Sequence, residues 1–250
     1  MDGRERRQGA QAGLKHAPFQ AMSRSDSRSR AELSREKIIG AALDLIDRNG
    51  MAALNMRTLG QAVGSATMSV YRYFPSKSEL LDAVVDHVVE GFAPKEVSAA
   101  WPEEARALCL RVRGAMLAHP ELADLIGREL RRSPTSLSVN TAIIGRLRSV
   151  GVPRELLPDT YWALSSYTTG YTLLEAQTYR HRRPDAKRSS AAERARKLAA
   201  LLEIADGLSQ EESDDAAMVL SRPLDEVQFL FGLDCVIAGL SARFAAHKEA

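Results

Sequence analysis

Cysteine is scarce in this chain: two occur in 250 residues, Cys109 and Cys235. Both fall inside helical apolar patterns with no metal-ligating neighbour at useful spacing. A disulfide framework is therefore excluded as the organising device, and both are expected to be small core residues in a reducing cytoplasm. Histidine is also sparse. His16, His87, His119, His181 and His247 are the five, and none pairs with another at metal-ligand spacing. Without clustered acids, metal-ligand pairs or a nucleophile beside a base, the sequence offers no catalytic constellation, so neither enzyme activity nor a cofactor or metal is expected. No stretch approaches the ~20 apolar residues of a membrane span, and the amino end lacks the apolar core of a secretory signal. A strong excess of one charge is missing too: 34 Lys and Arg against 32 Asp and Glu give a formal net charge of +2.

What the chain does have is hydrophobic residues, 45% of the total, enough for one or two packed domains. It also has uneven charge. Residues 1–30 hold seven Lys and Arg against three Asp and Glu and are rich in Ser, Gln, Gly and Arg. Such a segment predicts a disordered basic arm over 1–32, either a solvated tail or an arm that adds salt-sensitive affinity for DNA.

From residue 33 the pattern becomes helical. Ser34 is a good N-cap, with Glu36 in the first turn and apolar residues at Ile38, Ala42, Leu45 and Ile46. Asn49-Gly50 closes that helix. Asn55 caps a second, two-turn helix that buries Leu59, Ala62 and Val63 and stops at Gly64. A third is predicted from about Ala66 to Phe74, held by Val70 and Phe74, with Thr67, Met68, Ser69, Arg72 and Tyr73 on its other face. Two short helices about a tight glycine turn form a helix-turn-helix, whose second helix enters a major groove of double-stranded DNA. Ser76 and Glu79 then make an S-x-x-E capping box that opens a fourth helix, with Lys77 in its first turn as a candidate phosphate contact.

Arg57, Leu59, Gly64, the run Met68-Ser69-Val70-Tyr71-Arg72-Tyr73-Phe74 and Pro75-Ser76-Lys77 together resemble the DNA-binding domain of the tetracycline-repressor (TetR) family of bacterial regulators. The resemblance implies roles residue by residue. Arg57, Thr67 and Met68 stand at base-reading positions; Thr58, Ser69, Tyr71, Tyr73 and Lys77 match places that touch phosphates. The physics agrees for several, since arginine grips guanine with two hydrogen bonds and threonine or methionine packs on a thymine methyl. Two positions depart from the family pattern. Ser65 precedes Ala66 where a capping serine is expected one residue later, and Gly60 replaces the usual alanine, costing about 1 kcal/mol of helix propensity.

Beyond the helix-turn-helix region, 33–80, residues 81–250 read as helix after helix. An acidic stretch at 207–221 reads as mobile, and a last helix covers about 224–246. The helix Tyr161–Tyr179 interleaves Tyr161, Trp162, Tyr167, Tyr171 and Tyr179 with Ser165, Ser166, Thr168, Thr169 and Thr172; Gly170 is expected to permit close helix approach. That mixture fits tight packing or a pocket with a few polar anchors. The resemblance implies both, with this helix and the last one building a four-helix dimer interface. His119, Trp162, Tyr167, Tyr171 and Gln177 are the candidate pocket residues. The expected protein is thus all-α: a three-helix head and a larger effector-binding and dimerisation domain. The expected function is a homodimeric, ligand-responsive repressor released from a palindromic operator by a small-molecule effector. An effector-independent architectural dimer and an activator of the same fold are the alternatives.

Overall fold

The computed structural model describes residues 33–95, 100–129, 133–180, 193, 196–198, 200 and 209–249. The expected basic arm, 1–32, lies outside the described residues, as do 181–192 and most of 194–208. Among the described residues all regular structure is helical, and ten α-helices can be followed end to end.

Local capping chemistry sets the first four. Helix α1 (Arg35–Asn49) begins on Ser34, whose side chain accepts from the Lys37 amide, and buries Ile38, Ala42 and Ile46 along one face. It stops at Gly50, with φ at 79°, a region open to glycine and costly for other residues. Helix α2 (Met56–Ala62) is capped by Asn55. Helix α3 (Thr67–Tyr71) has five residues, too few to be stable alone. Val70 and Phe74, both fully buried, hold it down. It ends short of the expected Phe74, with the Tyr73 and Phe74 amides both closing onto the Val70 carbonyl, and Pro75 keeps Phe74 itself out of the helical region. Helix α4 (Lys77–Glu90) starts on Ser76, whose hydroxyl accepts from the Glu79 amide at 3.1 Å.

One hydrophobic cluster runs from Ile38 and Leu59 through Leu80, Val84 and Val88 to Met116, Leu122, Ile126 and Ala176. The helix-turn-helix region and the start of the larger helical part therefore share a core, and 33–250 forms one compact unit. The remaining helices are α5 (Trp101–Ala118), α6 (Ala123–Glu129), α7 (Pro134–Ser149), α8 (Leu157–Arg180), α9 (Gln210–Leu220) and α10 (Glu226–Glu249). A second cluster joins α5, α7, α8 and α10 around Trp101, Leu108, Leu147, Leu164, Phe229, Leu233 and Ile237. Arg113 of α5 threads this layer. It donates to both carboxylate oxygens of the fully buried Glu175 of α8, at 2.9 and 2.7 Å, and to Glu226 of α10 at 2.9 Å. A planar guanidinium held by three charge-assisted bonds fixes how these three helices meet.

Several expectations are corrected. The stretch expected to be mobile contains α9, which is ordered by a reciprocal capping box between Ser209 and Glu212. Cys109 is buried but Cys235 is exposed, on the outer face of α10. Among the described residues nothing lies within 4 Å of where a Cβ on Gly170 would stand, so that glycine serves no close approach between them. Helix α10 is, against expectation, long and apolar enough by length and composition to cross a membrane. Its Phe229, Leu233, Ile237, Leu240 and Phe244 pack inward, while Val227 and Phe231 are 78% and 65% exposed.

Candidate nucleic-acid interface and interior cavity

The head is assembled from short-range contacts. Asn55 Oδ1 accepts from the amides of Arg57 and Thr58, at 3.1 and 2.9 Å, so the first turn of α2 has its free donors satisfied. The turn to α3 passes through Gly64 at φ 64°. The Ser65 amide bonds back to the Gly60 carbonyl at 2.9 Å, and α3 begins on Ala66, which makes no side-chain cap bond. The unusual Gly60 has a geometric reason. A Cβ there would stand 3.1 Å from the Ser65 carbonyl oxygen and 3.3 Å from Thr67 Cα, so glycine lets α3 sit directly against α2.

Against this scaffold the candidate contacts separate into two groups. Arg57, Met68, Tyr71 and Lys77 are exposed, Met68 at 72% and Tyr71 at 40%, while Thr67 and Ser69 are half-buried at the start of α3. Lys77 is the first residue of α4, where free amides and the helix dipole favour an anion. Thr58 and Tyr73, in contrast, are engaged inside the protein. The Thr58 hydroxyl lies 2.9 Å from the carbonyls of Ala53 and Asn55 and accepts from the Asn55 amide at 3.1 Å. With its amide bonded as well, Thr58 has no donor left for a phosphate. The Tyr73 hydroxyl donates to the Leu33 carbonyl. Without DNA, both residues therefore act as structural ties within the head.

Arg35 was missed by the sequence reading. Its guanidinium lies 4.2 Å over the Phe74 ring and donates to the Tyr73 carbonyl at 3.2 Å. With Tyr73 it straps the start of α1 to the chain after α3. A first-turn arginine gives no sequence signal for such a contact 38 residues away. Arg72, exposed on the same surface, is a further cation there.

Below the head, α5, α7 and α8 border a partly open cavity of about 60 Å³ lined by Phe92, Leu108, Cys109, Val112, Asn140, Ile143, Leu147, Tyr161, Leu164, Ser165, Thr168 and Thr169. None of the five candidate pocket residues lines it. His119 stands at the end of α5 with Nδ1 2.8 Å from Asp47 Oδ2, joining α5 to α1. The Tyr167 and Tyr171 hydroxyls donate to the carbonyls of Phe229 and Asp225 at 2.7 and 3.0 Å, which locks α8 onto α10. Burial there pushes the Tyr171 phenol up to about 12. Trp162 is 45% exposed and sets its ring edge-on against Tyr161, and Gln177 is exposed near the end of α8. The cavity uses the opposite face of α8, where Tyr161, Ser165, Thr168 and Thr169 recur at helical spacing. That stripe of hydroxyls was visible in the sequence, but the face it looked toward was not.

The chain thus joins a three-helix head, whose third helix exposes Met68 and Tyr71, to a helical body that holds a largely apolar cavity. Residues 38–84 match the pattern of bacterial regulatory proteins of the tetR family, and residues 93–244, more than half the chain, match the tetracyclin repressor-like C-terminal domain. The chain belongs to the tetracycline repressor family. A transcriptional regulator of the helix-turn-helix type from Saccharopolyspora erythraea is 27% identical over 221 residues, 86% of this chain and 88% of the relative. The class D tetracycline repressor protein of Escherichia coli is 28% identical, again over 86% of this chain and 93% of its own. The TetR-family protein ActR of Streptomyces coelicolor, solved in complex with actinorhodin, is 28% identical, with a TM-score of 0.67 over 85% of this chain and 98% of that one. This TetR-family chain is thus similar along nearly its whole described length to regulators of transcription.

Proposed function

We propose that this TetR-family regulator is a cytoplasmic homodimer that represses transcription from a palindromic operator and leaves it when a small molecule occupies the cavity between α5, α7 and α8. It acts by binding alone and catalyses no reaction. Residues 33–80 form the reading domain, 81–250 the effector and dimerisation domain, and the basic arm, 1–32, adds salt-sensitive affinity from its attachment at Leu33. Arg57, Thr67 and Met68 read base edges; Ser69, Tyr71 and Lys77 hold phosphates. Two copies pair through the outer face of α8 and α10, where Trp162, Leu174, Val227 and Phe231 leave a solvent-facing apolar surface on the single chain. With two-fold pairing, the two heads fit half-sites one helical turn apart.

The observation that carries the regulatory part is the shared framework of cavity and head. Phe92, two residues past α4, lines the cavity, and Ser133 at the start of α7 donates to Asp86 of α4 at 2.5 Å. Asn140, Ile143 and Leu147 of the same α7 also line the cavity. Anything that displaces α7 or Phe92 therefore acts on α4, which carries Lys77 at its other end. A relative solved with a small molecule, ActR with actinorhodin, supports the reading that this regulator answers to a small-molecule effector.

Selection of bound fragments from the source genome tests the reading. The expected fragments contain palindromes with half-sites one helical turn apart. Any molecule that releases them should bind less tightly to the operator complex, by the same factor with which it weakens operator binding. Equal ligand affinity with and without operator overturns the coupling. A dimer that binds DNA with no effector is the second reading, favoured by the small cavity, and a ligand panel that yields no thermal stabilisation would select it.

A further inference from the structure

The chemistry of the cavity wall narrows what it holds. Its described lining is made of Phe, Leu, Val and Ile side chains with a few neutral polar groups, and none of the lining side chains is charged. The buried charges of α5, α7 and α8 are paired among themselves: Arg113 with Glu175 at 2.7 Å and Arg146 with Glu104 at 2.8 Å. A ligand carrying an unpaired charge would find no counter-ion here and would lose its hydration. The ionisable thiol in the wall stays neutral, because burial pushes Cys109 up to about 11.

The polar groups of the wall are unequal. The Tyr161 hydroxyl donates to Asn140 Oδ1 at 2.9 Å, so these two are engaged with each other. Thr168 differs. Among the described residues its buried side-chain oxygen has no hydrogen-bond partner of ordinary strength, the thiol of Cys109 beside it being a weak one. The residue is 2% exposed and lines the cavity. A buried hydroxyl without a partner is destabilising, and an incoming oxygen would relieve it.

Size matters as well. At about 60 Å³ the cavity is smaller than the ~150 Å³ apolar cavity that accepts benzene in an engineered protein. A ring-sized ligand that pushed α7 or Phe92 outward would have the differential affinity that a switch requires.

We infer that the cavity takes an uncharged, largely apolar molecule with a hydrogen-bonding oxygen that meets the Thr168 hydroxyl. This rests on the reading of the cavity as the effector site. Three probes of one shape test the charge class: 1-naphthol, 1-naphthoate and 1-naphthylmethylammonium, titrated into the full-length dimer by calorimetry, with naphthalene as the oxygen-free control. The expected order is naphthol tightest and either ion weaker by at least about a hundredfold. Thr168→Val keeps the shape of the side chain and should weaken naphthol about fivefold while leaving naphthalene unchanged. Ile143→Trp should fill the cavity and abolish both.

An ion that binds as well as naphthol, an unchanged naphthol-to-naphthalene ratio in Thr168→Val, or no binding by any probe overturns the inference. Thr168→Val retains its force if Ile143→Trp fails to fold. The regulatory reading fails separately. Probes that bind as described, but with equal affinity in the presence and absence of operator, would leave the ligand class standing and remove the switch.

Discussion

Helices α3 and α8 both present side chains to something outside the fold, yet they are made in opposite ways. Helix α3 has five residues and exists because Val70 and Phe74 pin it and Gly60 lets it lie against α2. Its register is set within about 20 residues of chain, by Asn55, Gly64 and Pro75. Helix α8 runs for 24 described residues, and nothing local determines which way its faces look. That is decided by partners far away in sequence: Arg113 of α5 on Glu175, and the carbonyls of Asp225 and Phe229 on the two tyrosines. The reading surface is a local product; the cavity is a long-range one.

The largest expected effect breaks the long-range side. Glu175→Gln leaves Arg113 in a low-dielectric layer without its main counter-charge, and losing one member of a buried pair costs about 3–5 kcal/mol. Chemical denaturation should show the loss. The double variant Arg113→Met with Glu175→Leu should recover much of it, because apolar residues can replace a buried pair with little penalty. If the double variant is as unstable as the single one, the network does more than neutralise itself.

Arg57→Ala then tests the local side without unfolding anything, since the exposed Arg57 side chain is not part of the core. It should cost about 1–3 kcal/mol at particular base pairs and relax preference there. Binding assays across single-base operator variants check this. A uniform loss over all variants would make Arg57 a backbone contact.

This contrast explains what could be read in advance. The caps at Ser34, Asn55 and Ser76, the glycine turn at 64 and the pinning pair Val70 and Phe74 are all signals contained in a few neighbouring residues, and the head follows from them. The departure at Gly60 was legible as a helix-propensity cost, but its purpose depends on how closely Thr67 approaches. In α8 the alternation of tyrosines with hydroxyls announced a functional helix without naming its inner face. Tyr167 and Tyr171 were candidates for the pocket because they are aromatic with a polar tip. In the structure those tips bind α10 backbone, and Tyr171 also borders a more open hollow beside Met218, Val219 and Leu220. The partner of His119, Asp47, is 72 residues away on α1, a contact no local pattern announces.

The smallest effects sharpen the same division within the head, between Thr58 on α2 and Lys77 at the start of α4. Thr58 and Lys77 were both matched to phosphate contacts, yet only Lys77 has its charge in solvent at a helix start. Lys77→Ala should weaken binding to every sequence and reduce the salt slope by about one unit, one phosphate contact being lost. Thr58→Val should leave the salt slope unchanged, because no ion is released from a hydroxyl that faces the carbonyls of Ala53 and Asn55. It should lower stability instead, by ~1 kcal/mol, as half of the α2 capping box disappears. Salt titrations and thermal melts on the two variants separate these outcomes. Were Thr58→Val to flatten the salt dependence, the hydroxyl would have to turn outward on DNA, and the cap of α2 would be something the operator rearranges.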